Sequence, residues 1–129
     1  MYPENYRYTK EHEWVLLEDG AGTIGITDYA QHELGDIVYV EVPKIGTHVE
    51  QGKSFAVVES VKAASEIFAP VSGEVIAVND QLGSKPELLN SAPHSDGWIA
   101  KIKLSVPGEI VQLLSAAGYQ AYLALNSDV

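Results

Sequence analysis

Turn-forming residues cut this chain into short lengths, and that punctuation limits the folds open to it. Glu18-Asp19-Gly20, Gly35, Pro43, the bracket of Gly46 and Gly52, and Pro70-Val71-Ser72-Gly73 each end one apolar run and release the next. Such short runs between Gly/Pro turns suit strands better than helices. Tyr6 to Trp14 leads into a strand through Leu17, and Thr23 to Ile26 returns from the turn. Asp36 to Val42 and Glu74 to Val78 alternate as strands do, and Pro43 stops the first of them. In Gly97 to Leu104, Trp98, Ala100, Ile102 and Leu104 are expected on the core face, with Ile99, Lys101 and Lys103 opposite. Helix signals are fewer. Asp28 with Gln31 resembles a capping box, so Thr27 to Leu34 is read as a short helix ended by Gly35. Asn79 to Ser84 is read as loop and Pro86 to Asn90 as one helical turn. Ser105 opens a second helix with Pro107 in its first turn, Ile110, Leu113 and Leu114 inward, and Gly118 at its end. Tyr119 to Leu125 adds a further short helix, and the last few residues fray. The expectation is a mainly β fold, a small sandwich or barrel with helical additions, in one domain spanning residues 1–129.

One segment resists assignment by pattern. Phe55 to Pro70 reads F-A-V-V-E-S-V-K-A-A-S-E-I-F-A-P, with Lys62 between two apolar stretches. As a hairpin it places Ser54 to Glu59 and Glu66 to Ala69 on strands and Lys62 at the tip. As a helix it aligns Val57, Val61, Ala64 and Phe68 on one face and Glu59, Lys62 and Glu66 on another. In that second form Lys62 is an ordinary solvated residue in an ion-pair ladder contributing roughly 0.2–0.5 kcal/mol per pair. Periodicity leaves both readings open.

Charge and composition exclude more than they assign. Eight basic residues against eighteen acidic ones give a net charge of −10. That balance argues against a nucleic-acid partner, which needs clustered Lys and Arg. It fits docking on positively charged partner surfaces, or solubility alone. No apolar run approaches the roughly 20 residues of a membrane helix, and M-Y-P-E-N-Y-R-Y-T-K reads as neither signal nor transit peptide. With no cysteine, thiol catalysis and Cys-based metal sites are excluded. Gly20 to Gly25, G-A-G-T-I-G, matches a dinucleotide fingerprint, but Ile26 continues a strand where that motif needs a helix. His12, His32, His48 and His94 lack metal-ligand spacing and read as scattered surface residues. His12-Glu13 and His32-Glu33 offer acid/base pairs with no nucleophile to activate. Glu59 and Glu66 beside Lys62 disfavour a catalytic amine, which needs desolvation or cationic neighbours, and favour a modification target.

The run E-S-V-K-A-A-S-E-I-F-A-P-V-S-G-E-V, Glu59 to Val75, resembles the lipoylation site of the glycine cleavage H-protein family. Further matching landmarks are H-E-W at His12 to Trp14, G-I-T-D-Y-A-Q at Gly25 to Gln31 and L-G-D-I-V-Y-V-E at Leu34 to Glu41. P-E-L-L-N at Pro86 to Asn90 and G-W-I at Gly97 to Ile99 extend the likeness, which runs from about Tyr8 to Tyr122. Two departures stand out. Glu33 lies where some members carry histidine, and His94-Ser95 lies where an aromatic and a small residue are common.

The resemblance selects the hairpin. It implies a barrel-sandwich hybrid of the lipoyl/biotinyl type, with a lipoyl hairpin at about 54–70 and a C-terminal helical segment at about 106–125. It implies lipoic acid in amide linkage to Lys62, on a protein that is a carrier and not an enzyme. The arm would take the aminomethyl group from the glycine-decarboxylating P protein (glycine dehydrogenase) to the T protein (aminomethyltransferase). The L protein, dihydrolipoyl dehydrogenase, would reoxidise it, and a lipoate-attaching enzyme would load it. Glu13 and Glu66 occupy the positions whose carboxylates hold the loaded arm. Such a carrier is expected to be a cytoplasmic monomer, or matrix-located if a processed eukaryotic form. Three other readings compete. A lipoyl domain of a 2-oxoacid dehydrogenase would put aspartate where Val61 stands, and a biotin carrier would put methionine beside the lysine. A β-rich interaction module would leave Lys62 unmodified. Transfer of lipoyl groups to other carriers is compatible with the same residues.

Overall fold

The computed structural model describes residues 2–127. In chain order its strands and α-helices are β1 (Arg7–Tyr8), β2 (Glu13–Glu18), β3 (Ala21–Ile26), α1 (Asp28–Leu34), β4 (Ile37–Glu41), β5 (His48–Val49), β6 (Ser54–Ser60), β7 (Ala64–Phe68), β8 (Gly73–Val78), α2 (Leu88–Ser91), β9 (Ala100–Leu104) and α3 (Ala116–Ser127). Single 3₁₀ segments lie at Asp80–Gly83, expected as loop, and at Pro107–Gln112. A six-stranded sheet, β1-β2-β3-β9-β8-β5, faces a three-stranded one, β4-β6-β7, and every pairing is antiparallel. Buried aliphatics from both sheets, including Val15, Ile24, Val58, Ile67, Val75 and Ile102, form one core.

Local chemistry accounts for the joints. Asp19 (φ 52°) and Gly20 (φ 78°) both take positive φ, as a two-residue hairpin turn requires. Of the glycines of G-A-G-T-I-G, Gly20 lies in that turn and Gly22 and Gly25 in the strand that follows: a Cβ on Gly25 would lie 2.6 Å from the Trp14 ring across the sheet. Helix α1 has the expected span with a different cap. The Thr27 hydroxyl accepts the Ala30 N–H at 3.2 Å, while Gln31 donates to Asp28 at 3.0 Å within the first turn. The helix expected from Ser105 to Gly118 is broken in two. Leu113 is extended, Leu114 pairs with Tyr8, and α3 restarts after Ser115, so Gly118 opens that helix instead of ending the previous one. Pro107 starts only a 3₁₀ segment, whose Glu109 carboxylate accepts the Ser72 N–H (2.7 Å) and hydroxyl (2.8 Å). Ile99 is also corrected: it precedes β9, is fully buried, and donates its N–H to Ile24 O at 2.7 Å. The fraying expected at the C-terminus falls partly on residues 128 and 129, outside those described.

A second cluster, largely aromatic, seals the other face of the large sheet. Tyr8, Trp14 and Tyr119 are buried there, with Tyr8 and Tyr119 stacked at 4.9 Å. Trp14 donates its indole N–H to Pro93 O at 2.8 Å. His94, at the position of the family's aromatic, packs against the Tyr2 ring at 5.4 Å. It accepts the Asp28 N–H at 3.1 Å. His94 is therefore no free surface histidine, and neither is His12.

Candidate functional site: a lysine at a pinned hairpin tip

The β6–β7 hairpin resolves the ambiguity of Phe55 to Pro70. Ser54 pairs with Phe68, and the ladder runs through Val57↔Glu66 to Glu59↔Ala64, leaving Val61-Lys62-Ala63 as the tip. The helical ladder does not form.

Ser60 holds the tip together. Its hydroxyl accepts the N–H groups of Lys62 (3.1 Å) and Ala63 (3.2 Å) and donates to Ala63 O at 3.2 Å. One donor and two lone pairs are thereby used in a single three-residue turn. The chain then binds outward, with Val61 N–H reaching Asp36 O at 3.0 Å. Asn90 braces that neighbour. It accepts the Ile37 N–H and donates to both Gly35 O and Gln31 Oε1, all at 2.9 Å. Sequence reading passed over Ser60 and Asn90, although a serine two residues before the lysine is a recognised turn-forming signal.

Lys62 is exposed, with its ammonium donating to Glu33 O at 3.3 Å near the C-terminus of α1. The side chain runs past Gly35, where a Cβ would meet Lys62 Cε at 3.2 Å. Among the described residues no carboxylate lies within ion-pair distance of Lys62, so Glu59 and Glu66 flank it in sequence without pairing to it. Around the tip, Val38, Tyr39 and Val61 are 54%, 51% and 67% exposed.

The two candidate carboxylates differ sharply. Glu66 is exposed on β7. Glu13 is 2% exposed, with one carboxyl oxygen accepting the Thr9 hydroxyl at 2.5 Å and the other the Phe68 N–H at 3.2 Å. Burial raises the Glu13 carboxyl to about 7 against the lowering effect of those bonds, and the Glu11 charge adds to the rise. Glu13 thus bonds the same strand that carries Glu66, and Glu66 and Phe68 leave one face of it. Lys62 stands at the far end of that hairpin arm.

The glycine cleavage H-protein family model matches residues 6–126. The chain belongs to that family. A glycine cleavage system H protein from a Marinomonas species is 58% identical, over 95% of this chain and 97% of that protein. One from Klebsiella pneumoniae is 53% identical over 94% and 95%. The crystal structure of a glycine cleavage system H protein from Mycobacterium marinum superposes with a TM-score of 0.86 at 32% identity, covering 97% of this chain and 98% of that one. Membership of the H-protein family accounts for the two-sheet sandwich and for the landmark at Lys62, and the fold is the barrel-sandwich hybrid expected. Among the described residues no helix is long and apolar enough to cross a membrane.

Proposed function

We propose that this chain is a single-domain lipoyl carrier of glycine cleavage, with lipoic acid amide-linked to Lys62, serving the P, T and L proteins after loading by a lipoate-attaching enzyme. One observation carries the reading: Lys62 is exposed at the tip of a hairpin whose backbone Ser60 fixes. The residues fit the group. An amide at Nζ needs an accessible amine without a buried counter-charge, and Lys62 gives up only a 3.3 Å bond to a carbonyl. When bound, the lipoyl group supplies the sulfur chemistry that a chain without cysteine lacks.

The protein's own part is placement and shelter. Ser60 and Asp36 O keep the tip from folding away. Glu13, whose carboxyl burial raises to about 7, would be driven toward its ionised form beside a cationic amine, because an adjacent positive charge favours the carboxylate. Glu66, exposed on the same hairpin, would offer a second acceptor without a comparable desolvation cost. Neither residue performs bond chemistry, so the protein acts as a carrier and not as an enzyme. The acidic surface suits transient docking of a monomer on basic partner faces. The bacterial relatives support a cytoplasmic setting.

The test is intact mass after incubation with lipoate, ATP and an active lipoate ligase, beside Lys62→Arg. One added lipoyl group, absent in the variant, is the expected result. A folded protein that gains no mass would defeat the proposal.

A further inference from the structure

The geometry around His12 connects Glu13 to the C-terminal helix. His12 takes φ 73°, a left-handed conformation that a non-glycine residue holds only when its surroundings impose it. Three bonds do so. His12 N–H donates to Thr9 O at 3.1 Å, and His12 O accepts the Thr27 N–H at 3.0 Å. The third partner comes from the other end of the sequence: His12 Nδ1 lies 2.8 Å from the Tyr119 hydroxyl. That hydroxyl also lies 2.7 Å from Thr27 Oγ1, and the same threonine caps α1.

Proton placement is consistent with one arrangement. Thr27 Oγ1 accepts from Ala30 N–H, so its own proton is free for Tyr119, whose proton then goes to a neutral His12 Nδ1. Burial lowers the His12 pKa, which keeps the ring neutral, against the opposing charges of Glu11 on its own turn and Glu33 on α1. The Tyr29 ring packs 4.6 Å from His12 and the Tyr122 ring 6.1 Å, while Lys10 lies over Tyr122.

We infer that Tyr119 is a positioning residue for Glu13: its hydroxyl locks the His12 bend that turns the next side chain inward to the Phe68 N–H. The inference rests on the proposed role of Glu13 toward the arm and adds the element that sets it. Without that hydroxyl, His12 relaxes toward ordinary φ, the turn loosens, and Glu13 gains water.

The experiment uses Tyr119→Phe, which keeps the ring stacked on Tyr8, beside Tyr8→Phe, which removes a hydroxyl that donates to Pro3 O at 2.8 Å in the same stack. Two quantities are read on lipoylated protein: the carboxyl titration midpoint of Glu13 by ¹³C NMR, and the lifetime of the aminomethyl-loaded form. Tyr119→Phe should lower the midpoint by about one pH unit and shorten the lifetime about fivefold, while Tyr8→Phe moves neither. An unmoved midpoint in Tyr119→Phe, or an equal move in Tyr8→Phe, overturns the inference whatever Glu13→Gln does. A moved midpoint beside an unchanged lifetime in Glu13→Gln overturns the arm role of Glu13 and leaves the hold of Tyr119 on the turn intact.

Discussion

The Ser60 hydroxyl accepts the Lys62 backbone N–H at 3.1 Å, so the residue that presents the lysine lies two positions before it. Ser60→Ala removes this bond and the two to Ala63. The expected outcome is a loss of about 1 kcal/mol in stability and a larger proportional loss in the rate of lipoylation, since the amine is no longer held outward. Single-turnover loading by a lipoate ligase, followed by mass, checks it. A rate unchanged within twofold (about 0.4 kcal/mol) would remove Ser60 from the presentation of Lys62.

Glu13 makes stability depend on pH in an unusual direction. Its carboxyl sits at about 7 in the folded protein against an ordinary 4.5, so the unfolded chain gives up the proton first. The contribution is complete below the unfolded value and is lost as pH rises through 7, on the order of 3 kcal/mol. Glu13→Gln cannot ionise and lacks this slope. Urea unfolding of both proteins between pH 4.5 and 8 reads the difference, which cancels the opposite trend from His12. Parallel curves would show that Glu13 is solvated as an ordinary acid.

Gly25→Ala places a methyl 2.6 Å from the ring of the buried Trp14, its partner across the β2–β3 ladder. A cost of about 2–3 kcal/mol is expected from overpacking, visible as a lower urea midpoint with Trp14 fluorescence as the probe. Nucleotide in millimolar excess should protect neither protein. Protection of the wild type would return G-A-G-T-I-G to a binding role.

What the chain reveals about itself depends on the range of each interaction. Turns at Asp19-Gly20 and Gly35 were legible because positive φ is a local demand that few residues meet. The strand pattern followed from alternation, except at Ile99, where the alternation begins one residue later than assumed. The hairpin around Lys62 was not decided by periodicity, since Val57, Val61 and Ala64 satisfy two repeats, and only resemblance chose. The split of the C-terminal helix was hidden, because Leu113 and Leu114 look like an inner helical face until Tyr8 offers a strand partner 106 positions away. Glu13 was named as a site residue without any sign of its burial, and a glutamate between His12 and Trp14 carries no local mark of it. Its bond to Phe68 spans 55 positions.

The pairing of Tyr8 with Leu114, through two backbone bonds of 2.8 Å, has a consequence for the order in which the molecule is made. On a ribosome, the lysine hairpin is local and can close early, because its strands are joined by three residues. Strand β1 waits for Leu114, 106 positions later, to emerge before its free edge is covered. The His12 turn waits with it, since Tyr119 arrives later still. A nascent chain would therefore display its lysine before the surroundings of Glu13 exist, which makes attachment of the proposed arm compatible with synthesis and leaves its proposed shelter to residues made later.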